Sequence, residues 1–404
     1  MTDVLDGQGP AAPAASSHVF ERFDTTRRSI LHRLFLRRNS PGVFTTRVPK
    51  SIIFASCVLV TYVPLLLLAS VELQTLTRAN PPLRLPFLLD WNLLVTFVLT
   101  FPLLILYSVT DQSTLTSALG QIAREGILEL PPQQATTLCH VWEQRFAVVN
   151  VSGQAVGVVM AILIAWFDYL PYRDPTVGYW IVENSRLTMT GLLFLCDLGM
   201  YVGFLSVYAM RSIATGLFLR AIVNESRIKM VPFHPDRCGG LRPVGAIGLR
   251  NQYLTSVIGL NILSFIIGKT WLIVPDALLF LMIGLTVTYV VIGPILFVVP
   301  LLPFHDGMVR SKSEWMTEVA QRLRVELARV RENLANGDVS KNDEELIQRL
   351  QKFGDLIEGF PVWPFDARTV RKFLTAYVVP IVGSIGSVAY PILKSTLLSL
   401  LRRP

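Results

Sequence analysis

The stretch FHPDRCGGLRPVG, residues 233–245, crowds titratable side chains and turn formers into thirteen positions. Three chemistries suit such a mixture. His234, Asp236 and Cys238 alternate, and in an extended chain they would point to one side as metal ligands. Pro235 and the Gly239-Gly240 pair favour a turn over a strand, however, and a structural metal wants four ligands. No second cluster is visible, so neither a metal nor any other cofactor is expected. An anion nest is the second chemistry. Gly239 and Gly240 can turn the backbone so that successive N–H groups converge, and Arg237, Arg242 and Arg250 add positive charge. A lipid or nucleotide phosphate would be the ligand, but no Lys-Ser/Thr follows to make a nucleotide-binding P-loop. The third is acid–base work by His234 oriented by Asp236. With no nucleophile or carboxylate pair nearby, no catalytic residue is expected. A fourth reading needs no ligand. Pro and Gly fix a turn, His234 and Asp236 bond to backbone, and the arginines meet lipid head groups.

A second set of polar residues lies in apolar surroundings. Asp197 sits in LLFLCDLGMYVGF and Lys269 in SFIIGKTWLIV, with Asn261 in the same segment as Lys269. A charge at the centre of a bilayer costs about 2.5–3.5 kcal/mol on insertion scales and marks a pathway or a pair. In segments running in opposite directions, Asp197 and Lys269 would differ in depth by about 6 Å, which a Lys stem can cover. They form either a structural ion pair or, with Asn261, the lining of a polar path for a small solute or ion.

The elements that hold these residues follow from composition. The 404-residue chain is 51% hydrophobic and only 16% charged, where a soluble domain carries about 25% charged residues. Six stretches reach the roughly 20 apolar residues that span a bilayer as helix, at 51–70, 91–110, 148–168, 188–210, 253–274 and 277–300. Lys and Arg concentrate on 1–50, 211–252 and 301–372, while the alternate loops 71–90 and 169–187 carry only Arg78, Arg84, Arg173 and Arg186. That bias places the N-terminus in the cytoplasm. The four cysteines, Cys57, Cys139, Cys196 and Cys238, form no CxxC pair and imply no disulfide framework.

The flanks read differently. Residues 1–19 are Ala-, Pro- and Ser-rich, a composition that predicts disorder. Ile30, Leu31, Leu34 and Phe35 recur at helical spacing among arginines, either as the ordinary cytoplasmic charge that flanks a first span or as a segment lying on an anionic membrane surface. After residue 300, apolar residues repeat every three to four positions through Leu334 and again from Leu346 to Phe360. Asn336-Gly337 separates the two runs, which predicts a cytoplasmic helical hairpin over about 310–359. Residues 373–393 are apolar but broken by Pro380, Gly383, Gly386 and Pro391, and would form a re-entrant segment or a seventh span.

The expected fold is therefore an all-α integral membrane protein with six or seven transmembrane helices. Its parts are a cytoplasmic segment (1–50), a six-helix membrane domain (51–300) with cytoplasmic loop 211–252, the hairpin region (301–372) and an apolar tail (373–404). The pair HPDRCGGL (234–241) and WPFDAR (363–368) resembles a pattern in uncharacterised bacterial polytopic inner-membrane proteins. The resemblance implies a bacterial plasma membrane and no particular activity. Two functions are open. One is transport or permeation near Asp197, Lys269 and Asn261. The other is a membrane-anchored interaction or sensory role, with the hairpin binding a cytoplasmic partner and the 233–245 loop a phosphate-bearing ligand. The partners expected are anionic lipid head groups, a second copy of the chain or a cytoplasmic protein, and not nucleic acid.

Overall fold

A computed structural model describes residues 11–40, 43–46, 48–73, 76–77, 85–170, 179–183, 186–229, 234–236, 238–270, 276–335, 341–365, 370–372, 374–375 and 377–386. Within them the chain is almost entirely helical. Helices α1 (Ala11–Arg22) and α2 (Ile30–Phe35) precede a short hairpin of β1 (Leu36–Ser40) and β2 (Val43–Thr46). The long helices follow: α3 (Lys50–Glu72), α5 (Phe101–Arg124), α6 (Pro132–Tyr169), α7 (Met189–Glu225), α8 (Arg242–Thr270), α9 (Asp276–Val298), α10 (Leu302–Ala335) and α11 (Lys341–Glu358). The four-residue α4 (Trp91–Leu94) and a π turn, Val95–Thr100, lead without a break into α5. Pro102 has no N–H to donate back along this helix, and the wide π turn lies just before it.

Four of these helices are long and apolar enough to cross a membrane: Lys50–Glu72, Trp91–Arg124, Pro132–Tyr169 and Met189–Glu225. Ile283–Val298 with Leu302–Glu332, bent by 45°, makes up to five. The expected span 253–274 falls largely on α8, which turns the polar residues Asn251, Gln252, Thr255, Asn261 and Ser264 into the bundle.

Helix ends are fixed by side chains that accept their unpaired N–H groups. Asp90 accepts from the Asn92 and Leu93 amides at 3.2 and 3.4 Å. It also receives the Tyr179 hydroxyl and the Trp180 indole N–H. Thr188 caps α7 through the Gly191 amide at 2.9 Å, and Glu72 at the end of α3 accepts from the Met189 and Thr190 amides. α6 begins at Pro132, where a missing N–H costs nothing. Between α5 and α6, β3 (Leu128–Glu129) pairs with β6 (Arg227–Ile228) beyond α7, a tie that neither two-residue strand announces. β4 (Val182–Glu183) and β5 (Arg186–Leu187) form a third small pair before α7.

Two apolar clusters hold the bundle. One gathers Phe97, Phe101, Trp180, Phe194 and Tyr201 near the Asp90 end. The other gathers Phe20, Phe23, Trp142, Phe146, Phe218 and Phe304. Residues 11–22, expected to be partly disordered, form a helix instead. Phe20 and Phe23 explain the correction, because both are fully buried. Composition averages over a segment and misses two aromatic anchors, each of which can bury some 150–250 Å². α10 and α11 pack together at Val319 and Gly354, and their junction, 336–340, lies outside the described residues. Residues 377–386 are helical and lie on α9, where the Tyr377 hydroxyl donates to the Val290 carbonyl at 2.5 Å.

Candidate functional site

Among the described residues the most extensive helix pairing is between α6 and α7, and small residues one turn apart let them approach. Gly153, Gly157 and Ala161 on α6 face Val207, Gly203 and Gly199 on α7. A Cβ added to Gly157 would stand 2.8 Å from the Gly203 carbonyl oxygen. Small faces let backbones approach where lipid supplies no hydrophobic drive. Along the side of this seam the bulkier Ile162, Trp166, Leu192 and Met200 stand apart and leave a groove of about 1060 Å³. That is at the upper end of the roughly 300–1,000 Å³ usual for ligand pockets. Most of its wall is apolar. One end is closed by Ser29, His32, Ser108, Gln154 and Arg211.

That end is made by a segment from far away in sequence. Residues 20–32, here called the strap, cross the middle of α5, α6 and α7, at Gln112, Asn150 and Arg211. The Arg211 guanidinium on α7 is almost wholly buried. Its Nη1 donates to the Thr25 carbonyl (3.0 Å) and to Asn150 Oδ1 (2.8 Å). Its Nη2 donates to Thr25 Oγ1 (3.1 Å) and to Asp111 Oδ2 (3.3 Å). Asn150 Nδ2 in turn donates to the carbonyls of Thr25 and Arg27, at 3.0 and 2.9 Å. Gln112 accepts the Thr25 amide at 3.0 Å and donates to the Phe23 carbonyl. Arg28 has a φ of 61°, uncommon for a residue with a side chain, and these bonds on either side hold it there.

His32 follows directly. It is 3% exposed, and its Nδ1 lies 2.7 Å from Ser29 Oγ. Its Nε2 has no hydrogen-bond partner among the described residues. Burial and then the neighbouring Arg211 cation hold His32 well below the usual imidazole pKa, against the opposing pull of the Ser108 backbone, so the ring is neutral.

The residues singled out by sequence fall in two other places. Asp197 lies on the inward face of α7 between Phe194 and Tyr201, 3% exposed, and its Oδ2 finds no partner among the described residues. Asn261 donates to Thr96 Oγ1 (2.5 Å) and Asn92 Oδ1 (3.3 Å) and accepts from the Tyr201 hydroxyl (3.2 Å). Neither borders the groove. The Lys269 side chain lies outside the described residues. Thr100, on the π turn, is buried with its hydroxyl unpartnered among the described residues.

In the 233–245 loop, Gly239 and Gly240 adopt φ of 67° and 88°, and backbone amides do converge on a carboxylate. The carboxylate is Asp236 of the same loop. It accepts from the amides of Cys238 (2.8 Å), Gly240 (3.0 Å) and Arg242 (3.1 Å). Burial alone would raise its pKa, but the amides of Gly240, Cys238 and Arg242, together with His234, bring it below the usual carboxylate value. His234 bridges Asp236 (2.8 Å) and Glu125 (3.6 Å). Gly240 sits against Ile127 too closely for a Cβ. A cavity of about 560 Å³ beside the loop is lined by His234, Asp236, Arg242, Thr114 and Gln121. Arg237 lies outside the described residues. Arg250 is engaged elsewhere, donating to the Thr110 carbonyl at 2.9 Å and lying over the Tyr107 ring. The end of the 233–245 stretch meets the second motif where Gly245 packs on the Pro364 carbonyl. Beyond it, Trp363 stacks on His305 at 4.2 Å.

Sequence reasoning passed over His32, Arg211, Gln112 and Asn150. A signal for the groove was present in the four-residue spacing of Gly153, Gly157, Ala161 and of Gly199, Gly203. No signal in sequence pairs Thr25 with Arg211, 186 positions apart. No protein-family model, no curated protein and no solved structure matches the chain.

Proposed function

We propose that the protein is a polytopic membrane protein that takes an amphiphilic molecule from the surrounding bilayer into the groove between α6 and α7. This is the ligand-binding, sensory role rather than permeation. The observation that carries it is the shape of the groove. Its wall is apolar and open along helices fit to cross a membrane, and it carries the polar residues Ser29, His32, Ser108, Gln154 and Arg211 at one end. An apolar pocket with a few convergent polar groups is the usual form of a small-molecule site. The setting is a bacterial inner membrane, with six spans and the N-terminus in the cytoplasm, as the arginine bias favours. The α10–α11 region, a helical hairpin on that side, is then placed to meet a protein partner.

Cys196 lines the groove and is exposed, so Cys196→Trp puts a large side chain into the groove. Protein purified gently should carry a bound amphiphile, seen by mass spectrometry, that the variant loses. Equal loads in the two proteins would overturn this function. Permeation through a path near Asp197 and Asn261 is the second reading. It is favoured by the unpartnered Asp197 and Thr100 oxygens. Its test is flux in proteoliposomes, where Asp197→Asn should change the rate or its pH dependence.

A further inference from the structure

The strap closes one end of the groove with Ser29 and His32, and both are buried. The Ser29 hydroxyl lies 2.7 Å from His32 Nδ1. Seven positions before His32, the strap is pinned by Gln112, Asn150 and Arg211, which all bond to Thr25. Between the two, Arg28 is held at a φ of 61°, a strain that release of the strap would relieve. A proton added to His32 would put a second positive charge beside Arg211, with no water to solvate it.

The charged groups on the elements around the strap do not offset that charge. Arg211 of α7 is itself a cation. Asp111 of α5 lies 3.3 Å from Arg211 Nη2 and balances it. Glu143 of α6 pairs with Arg27 at 3.9 Å and accepts the Asp24 amide at 3.0 Å. On the strap itself, Asp24 accepts the Thr26 amide at 2.8 Å and Glu21 pairs with Arg124 at 2.8 Å. Arg22, Arg27 and Arg28 are exposed. Burial first and then Arg211 resist protonation of the ring, and only the Ser108 backbone favours it.

We propose that residues 20–32 form an acid-released latch over one end of the groove, in which a proton taken up by His32 drives the strap off α5, α6 and α7. What release does to a bound amphiphile rests on the groove being a ligand site. The sign follows from the neutral ring. The closed strap refuses the proton, whereas in the open strap the ring meets water and takes it at about the ordinary imidazole value of 6.5. The latch is therefore closed above that pH and loosens below it. The open fraction should rise about tenfold from about pH 7.5 to about pH 5.5.

Hydrogen exchange read by mass spectrometry, on the full chain in phosphatidylcholine nanodiscs, measures that fraction. Protection of residues 23–32, corrected for the intrinsic pH dependence of exchange, should fall by the same factor of about ten. His32→Phe keeps a ring that cannot take the proton, and its protection should change less than about twofold. His32→Gln gives the same reading if the aromatic variant fails to fold. A wild-type change below about twofold overturns the latch. So does an equal fall in the His32 variants, which would assign the pH dependence to Asp111 and Glu143. An amphiphile in the groove should pass to phosphatidylcholine vesicles faster at the lower pH in wild type and not in the variants. Release of the strap without faster transfer denies it any hold on the groove. Release in a protein that carries no amphiphile at either pH sinks the ligand reading and leaves the latch.

Discussion

Arg211 and Asp197 lie on one face of one helix, fourteen positions apart, and both are buried. They solve the same problem in opposite ways. Arg211 is surrounded by acceptors drawn from the strap, α5 and α6, and one of them is a carboxylate. Asp197 stands among Phe194, Tyr201 and their aromatic neighbours with an oxygen that nothing described satisfies. The first arrangement is a structural clasp, because removing any member leaves others buried and unpaired. The second keeps an unmet hydrogen-bonding need within the helix bundle. The comparison shows that a buried charge in an apolar helix is not by itself a pathway, and that its partners decide its role.

The sharpest way to break this comparison is to remove the clasp. Arg211→Met should cost about 3–5 kcal/mol, since Asp111 and Asn150 lose a buried partner. It should also free the strap for cleavage at Arg27 and Arg28 by trypsin. Thermal unfolding in nanodiscs with parallel proteolysis reads both, and a loss below about 1 kcal/mol would deny the clasp its role. Next in size, Gly157→Val puts a side chain onto the Gly203 carbonyl and should cost about 1–3 kcal/mol by overpacking. Val at exposed Leu163, a matched control in the same helix, should leave stability nearly unchanged.

Smaller again is the loop of residues 233–245. Asp236→Ala removes the acceptor for three backbone amides and should cost about 1–2 kcal/mol near neutral pH. The folded pKa of Asp236 lies below its ordinary value. Its contribution is therefore complete above the usual carboxylate range and is lost as pH falls through the lowered folded value. Wild-type and variant melting curves should converge on acidification, and a constant gap at low pH would contradict the assigned bonds. The smallest effect is expected at Asp197. Asp197→Asn should change stability by no more than about 0.5 kcal/mol, as nothing described depends on that carboxylate. A loss of several kcal/mol would instead reveal a partner, and Lys269→Met with Asp197→Asn in a double-mutant cycle would identify it.

How much of this was legible beforehand varies with the range of the interaction. The stretches 51–70, 91–110, 148–168 and 188–210 fall on the four helices long and apolar enough to cross a membrane, because runs of apolar residues of that length have few other stable forms. The turn at Gly239-Gly240 was legible because only glycine takes those backbone angles freely. Of the readings open for that turn, the structure shows the bonds of the one that needs no ligand: Asp236, also counted among possible metal ligands, accepts the converging amides itself. The strap was misread more deeply. Alanine, proline and serine up to residue 19 suggested a loose tail, and the arginines beyond it suggested a surface. Phe20 and Phe23 draw the start of the segment into a shared aromatic core, while Ile30 and Leu34 stay exposed.

Sequence alone settled what each segment is. Hydropathy and length decide whether a stretch can leave water as a helix, since every backbone amide must then be paired within the segment. Glycine and proline decide where it turns. The tertiary structure decided which polar groups meet. Thr25 joins Arg211, Gln112 and Asn150 only because α5, α6 and α7 come together around residues that lie far apart along the chain. His32 is buried beside the Arg211 cation only because that assembly folds residues 20–32 back onto the helices. Contacts of this kind depend on how whole helices pack against one another, and no local spacing records it.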